Sequence, residues 1–310
     1  MILTVTMNPA IDKTYVVDHF QPNQVFRTDK IIATAGGKGI NVARVVSILG
    51  EAVAATGFLG GNNGAFIADE LIKQNVRNEF LKTQGETRVC LNIIDEINST
   101  STEILESGPT LSHQEVDDFL HWFDQLLDQA TIITVSGSLP KGLESDFYRL
   151  LIRSTRQKTK RLLLDTSGVY LKEAIKEKPF MITPNETEVR TLIEQESFAD
   201  NDYPQILMSL KEQGIYLPIL TLGSAGCMAM LEDGVYKFSC SRLNVINPVG
   251  SGDAFLAGCA VGLKQERKLI DVIKLGMAAG MSNTQFLATG MVCQEMVEKF
   301  FQVIRVERLV

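Results

Sequence analysis

The segment 247–258 places a carboxylate where a glycine-rich loop becomes a helix, in the order Asn-Pro-Val-Gly-Ser-Gly-Asp-Ala-Phe-Leu-Ala-Gly. Gly250 and Gly252 permit close backbone approach, so successive N–H groups can point into one small space. The apolar residues 254–263 predict a helix, and the positive end of its dipole favours a bound phosphate. Asp253 beside that phosphate is accounted for if it takes a proton from an attacking alcohol.

This segment alone also fits an ordinary glycine-rich turn, because Asp is a favoured residue at the start of a helix. The named nucleotide motifs do not decide between the two interpretations. Gly-x-Gly-x-x-Gly fails at Phe255, and Lys38 lacks both the upstream glycine and the following Ser or Thr of a Walker loop.

A second glycine cluster, residues 35–45, also opens a predicted helix. Apolar residues recur at helical spacing from Val42 to Leu49, which leaves Lys38 and Asn41 as polar donors at the helix start. The two clusters resemble the two signature motifs of the ribokinase/PfkB family of carbohydrate kinases, in the same order and separation. The resemblance extends over nearly the whole chain.

Shorter segments also resemble the family, in the family's order, at residues 8–12, 86–88, 136–140, 184–188 and 221–226. Within the family the chain is most similar to the subgroup that phosphorylates sugars already carrying one phosphate. That subgroup comprises tagatose-6-phosphate kinase and 1-phosphofructokinase, and the similarity lies at Asn8, Pro9, Arg27, Arg88 and residues 136–140. The chain departs from it at Thr183, where lysine is usual, which puts one cation near the nucleotide phosphates in doubt.

The resemblance implies ATP and Mg²⁺ as cofactors. It assigns Asp253 as the general base, and Gly250, Ser251 and Gly252 as the group that holds the γ-phosphoryl oxygens. Asn185 and Glu188 are implied to place Mg²⁺ through water, although Asn185 also suits a simple helix cap. The implied nucleotide contacts are Asn185, Thr221, Leu222, Gly223, Ser224, Ala225, Gly226, Gly252, Met277 and Asn283. Core packing explains Met277 equally well.

The resemblance also implies a set of contacts to the sugar phosphate: Asp12, Arg27, Gly37, Lys38, Asn41, Arg88, Ser136 and Asp253. Arg27, Arg88 and Lys38 form a predicted clamp for the phosphate already on the sugar, since a guanidinium fork suits phosphate. Ser136 would add a hydroxyl. Each arginine alone also suits a solvated strand face, and Asp12 also suits a turn.

The chain has 310 residues, of which 45% are hydrophobic and 22% charged, and a net charge of −7. This composition supports a large core and argues against a nucleic-acid partner. Residues 1–7 read as a strand rather than a signal peptide, and the longest apolar run is half a membrane span. Five widely spaced cysteines fit buried thiols in a reducing compartment. We therefore expect a cytoplasmic protein without a membrane partner.

Short apolar runs alternate with helical patterns along the chain, as at residues 131–135, 162–164, 180–182 and 218–222. Ser112 and Glu115 form a capping-box pattern before one helix, and Asn63 precedes another. The pattern predicts an α/β fold with a doubly wound, mostly parallel sheet flanked by helices. The resemblance makes this sheet ribokinase-like, in one domain over residues 1–310. It further implies a small β-sheet lid from segments near 13–34 and 88–106, and a homodimer formed through that lid.

Three functions are compatible with these observations. The favoured one is an ATP-dependent kinase that converts a ketohexose monophosphate to the bisphosphate. Its substrate would be tagatose-6-phosphate, fructose-1-phosphate or fructose-6-phosphate, and sequence alone does not choose among them. A kinase of an unphosphorylated sugar or nucleoside would leave Arg27 and Arg88 without an anion to bind. A sugar or nucleotide sensor without activity would not need Asp253 or its glycine loop.

Overall fold

The structure is a computed structural model that describes residues 1–193, 202–241 and 243–310. The large sheet consists of β1 (Ile2–Thr6), β4 (Val53–Leu59), β5 (Arg77–Asn78), β6 (Leu81–Lys82), β9 (Ile132–Ser136), β10 (Arg161–Asp165), β11 (Met181–Ile182), β12 (Leu217–Thr221), β13 (Cys227–Met230), β14 (Val235–Ser239) and β15 (Arg305–Arg308). The small sheet consists of β2 (Ala10–Val17), β3 (Ile31–Gly36), β7 (Arg88–Asp95) and β8 (Thr100–Leu105).

The helices are α1 (Lys38–Ile48), α2 (Gly61–Lys73), α3 (His113–Leu127), α4 (Phe147–Gln157), α5 (Gly168–Ala174), α6 (Glu186–Ile193), α7 (Tyr203–Glu212), α8 (Ser251–Lys264), α9 (Leu269–Asn283) and α10 (Gln294–Val303). The predicted capping box forms at the start of α3, where Ser112 and Glu115 bond each other's backbone N–H groups. The expectation that Asn63 precedes its helix is wrong. α2 begins at Gly61, and Asn63 lies inside the first turn with its amide bonded to the Thr87 carbonyl.

The large sheet runs in the order β5-β4-β1-β9-β10-β11-β12-β13-β14-β15, and β6 also pairs with β4. Neighbouring strands are parallel as far as β12, and the last three pairings are antiparallel. This arrangement confirms the predicted mostly parallel sheet. Because the carboxyl ends of the parallel strands meet at one edge, residues that follow these strands come close together.

Helices cover both faces of the large sheet, and consecutive residues of one strand pack into different layers. Leu163 of β10 joins the core beneath α1, α8 and α9, whereas Leu164 joins the core beneath α3 and α4. This alternation explains why the strands read as continuous apolar runs, since neither face meets water. Among the described residues, no helix is long and apolar enough to cross a membrane.

The small sheet has the order β3-β2-β7-β8 and forms from the two segments in which a lid was expected. The pairing of β2 with β7 is parallel, with Asp12 opposite Cys90, and the two outer pairings are antiparallel. β3 runs directly into α1 through Gly37, so the small sheet is joined to the helix that carries the first glycine cluster. Side chains of β2, β3, β7 and β8 line the large cavity described below.

Candidate active site

Asp253 is the third residue of α8 and lines a cavity of about 1000 Å³. The residue is only 5% exposed, and Asn41 of α1 donates a 2.9 Å hydrogen bond from Nδ2 to its Oδ2 atom. Burial raises the pKa of Asp253 to about 7, with the Asp165 carboxylate acting in the same direction and Lys38 against it. A carboxyl with this pKa exchanges protons near neutral pH, as a general base must.

The loop before α8 uses the conformational freedom predicted for Gly250, while the Ser251 N–H donates to the Pro248 carbonyl at 3.2 Å. Gly250 adopts a left-handed conformation with φ of 81°, which favours glycine, and caps the helix. Asn247 shapes the turn by accepting a 3.0 Å hydrogen bond from the Val249 N–H. A Cβ added to Gly252 would meet no atom within 4 Å, so this side of the loop is open to the cavity.

Lys38, the first residue of α1, reaches across to β10. Its Nζ atom lies 3.2 Å from Asp165 Oδ2 in a half-buried ion pair. Burial lowers the pKa of Lys38, but the Asp165 and Asp253 carboxylates outweigh that effect and raise it, so the ammonium stays charged. Asp165 was not predicted. Its position at the carboxyl end of a predicted parallel strand was the available signal.

Asp12 of β2 lies in the wall of the large cavity, directly against Gly36 of β3. Burial raises its pKa to about 6, against the attraction of Arg44 and Arg88, and the Gly37 N–H also bonds the carboxyl. The alternative of a turn residue is therefore wrong, since Asp12 lies within a strand. Gly37, with φ of 99°, precedes α1 and borders the same cavity.

Asn185 and Glu188 form a reciprocal cap at the start of α6. Asn185 Oδ1 accepts the Glu188 N–H at 2.9 Å, and Glu188 Oε2 accepts the Asn185 N–H at 2.9 Å. Both residues also line the large cavity, as does Thr183, where the related subgroup usually has lysine. Burial raises the pKa of Glu188 against the bond from Asn185. Asn185 therefore does cap the helix, and the cap holds both side chains at the cavity, while their part in placing Mg²⁺ stays a prediction.

The segment after β12 is the predicted nucleotide loop. Gly223 and Gly226 have φ of 54° and 96°, and a Cβ on Gly226 would lie 2.0 Å from the Phe238 carbonyl oxygen. The cavity is lined by Thr221, Gly223, Ser224 and Gly226. Leu222 and Ala225 do not line it. Leu222 packs on a core cluster, and Ala225 is exposed elsewhere on the turn.

The two nucleotide contacts predicted on the later helix, Met277 and Asn283, behave differently. Met277 of α9 lines the large cavity, but Asn283 does not. The Asn283 amide is fully buried, donates to the Val249 carbonyl at 2.9 Å and accepts from the Met291 N–H. Asn283 therefore braces the loops around the cavity. The apolar wall that sequence reasoning missed consists of Leu243, Val245, Met281 and Leu287.

A second, polar cavity of about 230 Å³ lies beside the first, and Gly37, Lys38 and Arg88 border both. Among its lining residues, Ser136 is 1% exposed. Its hydroxyl has no hydrogen-bond partner, and the same holds for the buried oxygens Thr6 Oγ1 and Asn8 Oδ1. Buried polar atoms are normally paired, so three unpaired ones around a single cavity indicate that a polar ligand belongs there.

Arg88 is partly committed within the protein. Its guanidinium donates to the Asn8 carbonyl at 3.0 and 3.2 Å and to the Glu106 carbonyl at 2.9 Å, which holds it at the boundary of the two cavities. Arg27 is not brought to the same place. It is exposed in the segment between β2 and β3 and lines neither cavity, so its part in the phosphate clamp stays a prediction.

A model described as pfkB family carbohydrate kinase matches residues 5–291. The chain belongs to this family. Members of the PfkB family use ATP with Mg²⁺. The match includes both glycine clusters, which the structure brings together through the bond from Asn41 to Asp253.

Solved structures with the same fold cover almost the whole PfkB chain. One is a possible 1-phosphofructokinase of Thermotoga maritima, with 27% identity, a TM-score of 0.91 and coverage of 100% of this chain and 99% of the other. Another, from Staphylococcus aureus, is provisionally assigned as a phosphofructokinase, with 26% identity, a TM-score of 0.86 and the same coverage. Phosphofructokinase-2 of Escherichia coli, solved with potassium, has 24% identity, a TM-score of 0.91 and coverage of 97% and 98%.

The large cavity offers oxygen donors of the kind that Mg²⁺ prefers, from Asn185, Glu188 and Asp165. Within residues 1–193, 202–241 and 243–310, no group of three or more His, Cys, Asp or Glu side chains could hold a metal ion. The residues present therefore fit a magnesium ion that is bound mainly by nucleotide phosphates and water, with few protein ligands.

Proposed function

We propose that this PfkB-family kinase transfers the γ-phosphoryl group of ATP to the free terminal hydroxyl of a ketohexose monophosphate. Asp253 accepts the proton of that hydroxyl while its oxygen forms the new bond to phosphorus. The bond between the γ-phosphorus and the bridging oxygen breaks, and ADP leaves. The N–H groups of Gly250, Ser251 and Gly252 stabilise the charge on the transferred group, and the Ser251 N–H gives up its bond to the Pro248 carbonyl to do so.

The polar cavity beside the large one is the observation that carries this proposal. Lys38 is already paired with Asp165, but a neutral sugar would leave the Arg88 guanidinium at this border bonded only to neutral carbonyls. A phosphate group supplies several acceptor oxygens, which suit these cations and the unpaired Ser136 hydroxyl. Lys38 borders both cavities and its ammonium interacts with the Asp253 carboxylate, so in this proposal the sugar extends from the phosphate subsite to Asp253.

Mg²⁺ bound with ATP would neutralise charge on the β- and γ-phosphates. Asn185 and Glu188 are the proposed protein contacts to it, partly through water. Lys38 supplies a permanent positive charge between Asp165 and Asp253, and its ion pair with Asp165 keeps the ammonium directed at the cavity.

A substrate panel tests the proposal. Purified enzyme with ATP and Mg²⁺ is offered tagatose-6-phosphate, fructose-1-phosphate, fructose-6-phosphate, the matching unphosphorylated sugars and a nucleoside, while ADP release is followed. We expect turnover with at least one ketohexose phosphate and little with the neutral compounds. Turnover only with a neutral sugar or nucleoside would contradict the proposal, and so would binding without any ADP release.

We also propose that two copies pair through the small sheet. PfkB kinases with this fold form oligomers, and one E. coli phosphofructokinase-2 structure is a tetramer. β8 is exposed along its whole length, and two large apolar side chains of the sheet that do not line the large cavity, Ile31 and Ile104, are 50% and 53% exposed. Covering such side chains by a second copy removes apolar surface from water.

Sedimentation velocity on Ile104→Glu tests this pairing, since a buried charge disfavours association. Ile104 does not line the large cavity, so the variant leaves the site itself unchanged. Leu309→Glu, an exposed apolar residue near the end of the chain, is the matched control. We expect wild type and the control to sediment as dimers or larger species and Ile104→Glu as a monomer. A monomeric wild type, or an unchanged Ile104→Glu oligomer, would contradict the proposal.

A further inference from the structure

Arg44 of α1 carries a buried guanidinium for which the proposed reaction has no use. The residue is 4% exposed, and its donors are all directed at acceptors within the protein. Nε donates to Gln74 Oε1 at 3.0 Å, and Nη1 donates to Asn41 Oδ1 at 3.0 Å and to the Thr289 carbonyl at 2.9 Å. Nη2 donates to the carbonyl of Ala35 in β3. Besides Asn41 on its own helix, this one side chain therefore contacts three other parts of the fold.

The contact with Asn41 determines which way that amide faces. An asparagine amide has one acceptor oxygen and one donor NH₂, and its two orientations have almost the same shape. Arg44 can only donate hydrogen bonds, and an ionised Asp253 can only accept them. With Asn41 between them, only the orientation with Oδ1 toward Arg44 and Nδ2 toward Asp253 satisfies both neighbours.

We propose that Arg44 is a positioning residue that locks the Asn41 amide with its N–H groups toward Asp253 and so keeps the base ready to accept a proton. This inference rests on the proposed function only in that it takes Asp253 to be the catalytic base. The chain of contacts from guanidinium to amide to carboxylate is geometric, with distances of 3.0 and 2.9 Å.

The loop next to the glycine turn supports the same role. A Cβ on Gly290 would lie 2.8 Å from Arg44 Nη1 and 3.0 Å from Asn41 Cα, and Gly290 has φ of 66°. A Cβ on Gly250 would in turn lie 3.1 Å from the Gly290 N atom. The guanidinium, the amide and the turn before α8 are therefore packed against one another, and Arg44 holds the loop through the Thr289 carbonyl.

The charges around Asp253 set the expected direction of a pH effect. Asp165 of β10 and Asp12 of β2 favour its protonated form, whereas Lys38 and Arg44 of α1 favour its ionised form. Without Arg44 the amide is free to turn its oxygen toward Asp253, which favours the protonated acid. Loss of Arg44 therefore raises the pKa of Asp253. As the pH is lowered, the variant should lose activity at a higher pH than wild type does.

The test compares Arg44→Met with wild type by two readouts: the acid limb of kcat/KM against pH, and a ¹³C NMR titration of the Asp253 carboxyl carbon. The NMR signal is assigned by its absence in Asp253→Asn, and it needs no substrate. If the proposed function fails, wild type shows no turnover, yet the titration still tests Arg44. We expect both midpoints to rise by about one pH unit, the scale of one charge-assisted hydrogen bond.

Two further variants separate positioning from general effects. Gln74→Met removes a different Arg44 contact, at the end of α2, and should leave both midpoints unchanged. In an Asn41→Leu background the amide is absent, so adding Arg44→Met should shift the midpoint little further. Additive shifts in the double variant would overturn the proposal, because they would mean that Arg44 acts directly through its charge.

Arg44→Lys covers the case in which Arg44→Met does not fold. It keeps a donor and the charge, and should shift the midpoint in the same direction by less than Arg44→Met. An unchanged midpoint in whichever Arg44 variant folds would overturn the proposal. Failure of both variants to fold would also overturn it, since Arg44 would then be a scaffold residue.

Discussion

Asn41 donates a 2.9 Å hydrogen bond from Nδ2 to Asp253 Oδ2, and the two residues are 212 positions apart in sequence. The bond joins the first turn of α1 to the first turn of α8. Both helices therefore begin at the same cavity, and the positive ends of their dipoles face the space where we propose that phosphate is transferred. The account below depends on this meeting of the two glycine clusters.

The pH dependence of the wild-type enzyme should report the Asp253 carboxyl. Burial raises the pKa of Asp253 to about 7, so the base is protonated and inactive at lower pH. We expect kcat/KM for the sugar phosphate to fall roughly tenfold per pH unit below this midpoint. The phosphate of the substrate also ionises over this pH range. A slow alternative substrate that carries the same phosphate provides the correction for that effect. A midpoint near 4 would contradict the assignment.

The same pKa predicts how stability depends on pH. Asp253 has a pKa of about 7 in the folded protein, against roughly 3.9 for an unfolded Asp. The folded state binds this proton more tightly, so stability falls as pH rises between these values. Asp253→Asn removes the ionisation and should be more stable than wild type at pH 8, by up to about 4 kcal/mol. At pH 4 the two proteins should unfold at similar urea concentrations. An equal difference at both pH values would contradict this expectation.

Arg88→Ala should raise the KM for the sugar phosphate by about 10- to 100-fold and leave the KM for ATP nearly unchanged. A charge-assisted contact to phosphate contributes roughly 1.5–3 kcal/mol, which accounts for this range. Arg77→Ala removes an exposed arginine on β5 and is the matched control. Equal losses on phosphorylated and neutral sugars would mean that Arg88 supports the small sheet and does not bind phosphate.

Two glycines of α8 should respond oppositely to alanine. Gly252 has open space where its Cβ would be, so Gly252→Ala should fold normally and lower turnover because the methyl group enters the proposed phosphate site. A Cβ on Gly258 would lie 2.6 Å from the Leu275 carbonyl oxygen in α9. Gly258→Ala should therefore destabilise the protein by about 1–3 kcal/mol. Thermal melts and kinetics on both variants check this, and normal turnover in Gly252→Ala would contradict the proposed geometry.

Local rules predicted the regular parts of the fold well. The capping box at Ser112 is found at the start of α3, and the apolar runs became buried parallel strands. The antiparallel strands β13, β14 and β15 were not predicted. Asp233 and Gly234 form a typical hairpin turn signal between β13 and β14, and that signal was overlooked.

Sequence patterns predicted the site residues that lie at helix starts and strand ends, and predicted the other site residues less well. Helical spacing from Met277 places Gly280, Met281 and Thr284 on the cavity side, whereas Asn283 points away, so the choice of Asn283 was wrong. Leu243, Val245 and Leu287 lie in irregular segments, where no periodicity indicates which side chains face the cavity. The network around Arg44 also depends on tertiary contacts that no local pattern encodes.

The turnover number of Asp253→Asn tests the central claim most directly. The substitution keeps the shape of the side chain but removes its ability to take a proton, while Asn41 remains next to it. With the best ketohexose phosphate from the panel, we expect kcat to fall by about 10²–10⁴-fold, the usual contribution of a general base. The Kd for ATP should stay unchanged. A folded Asp253→Asn protein with near-normal turnover would contradict the account.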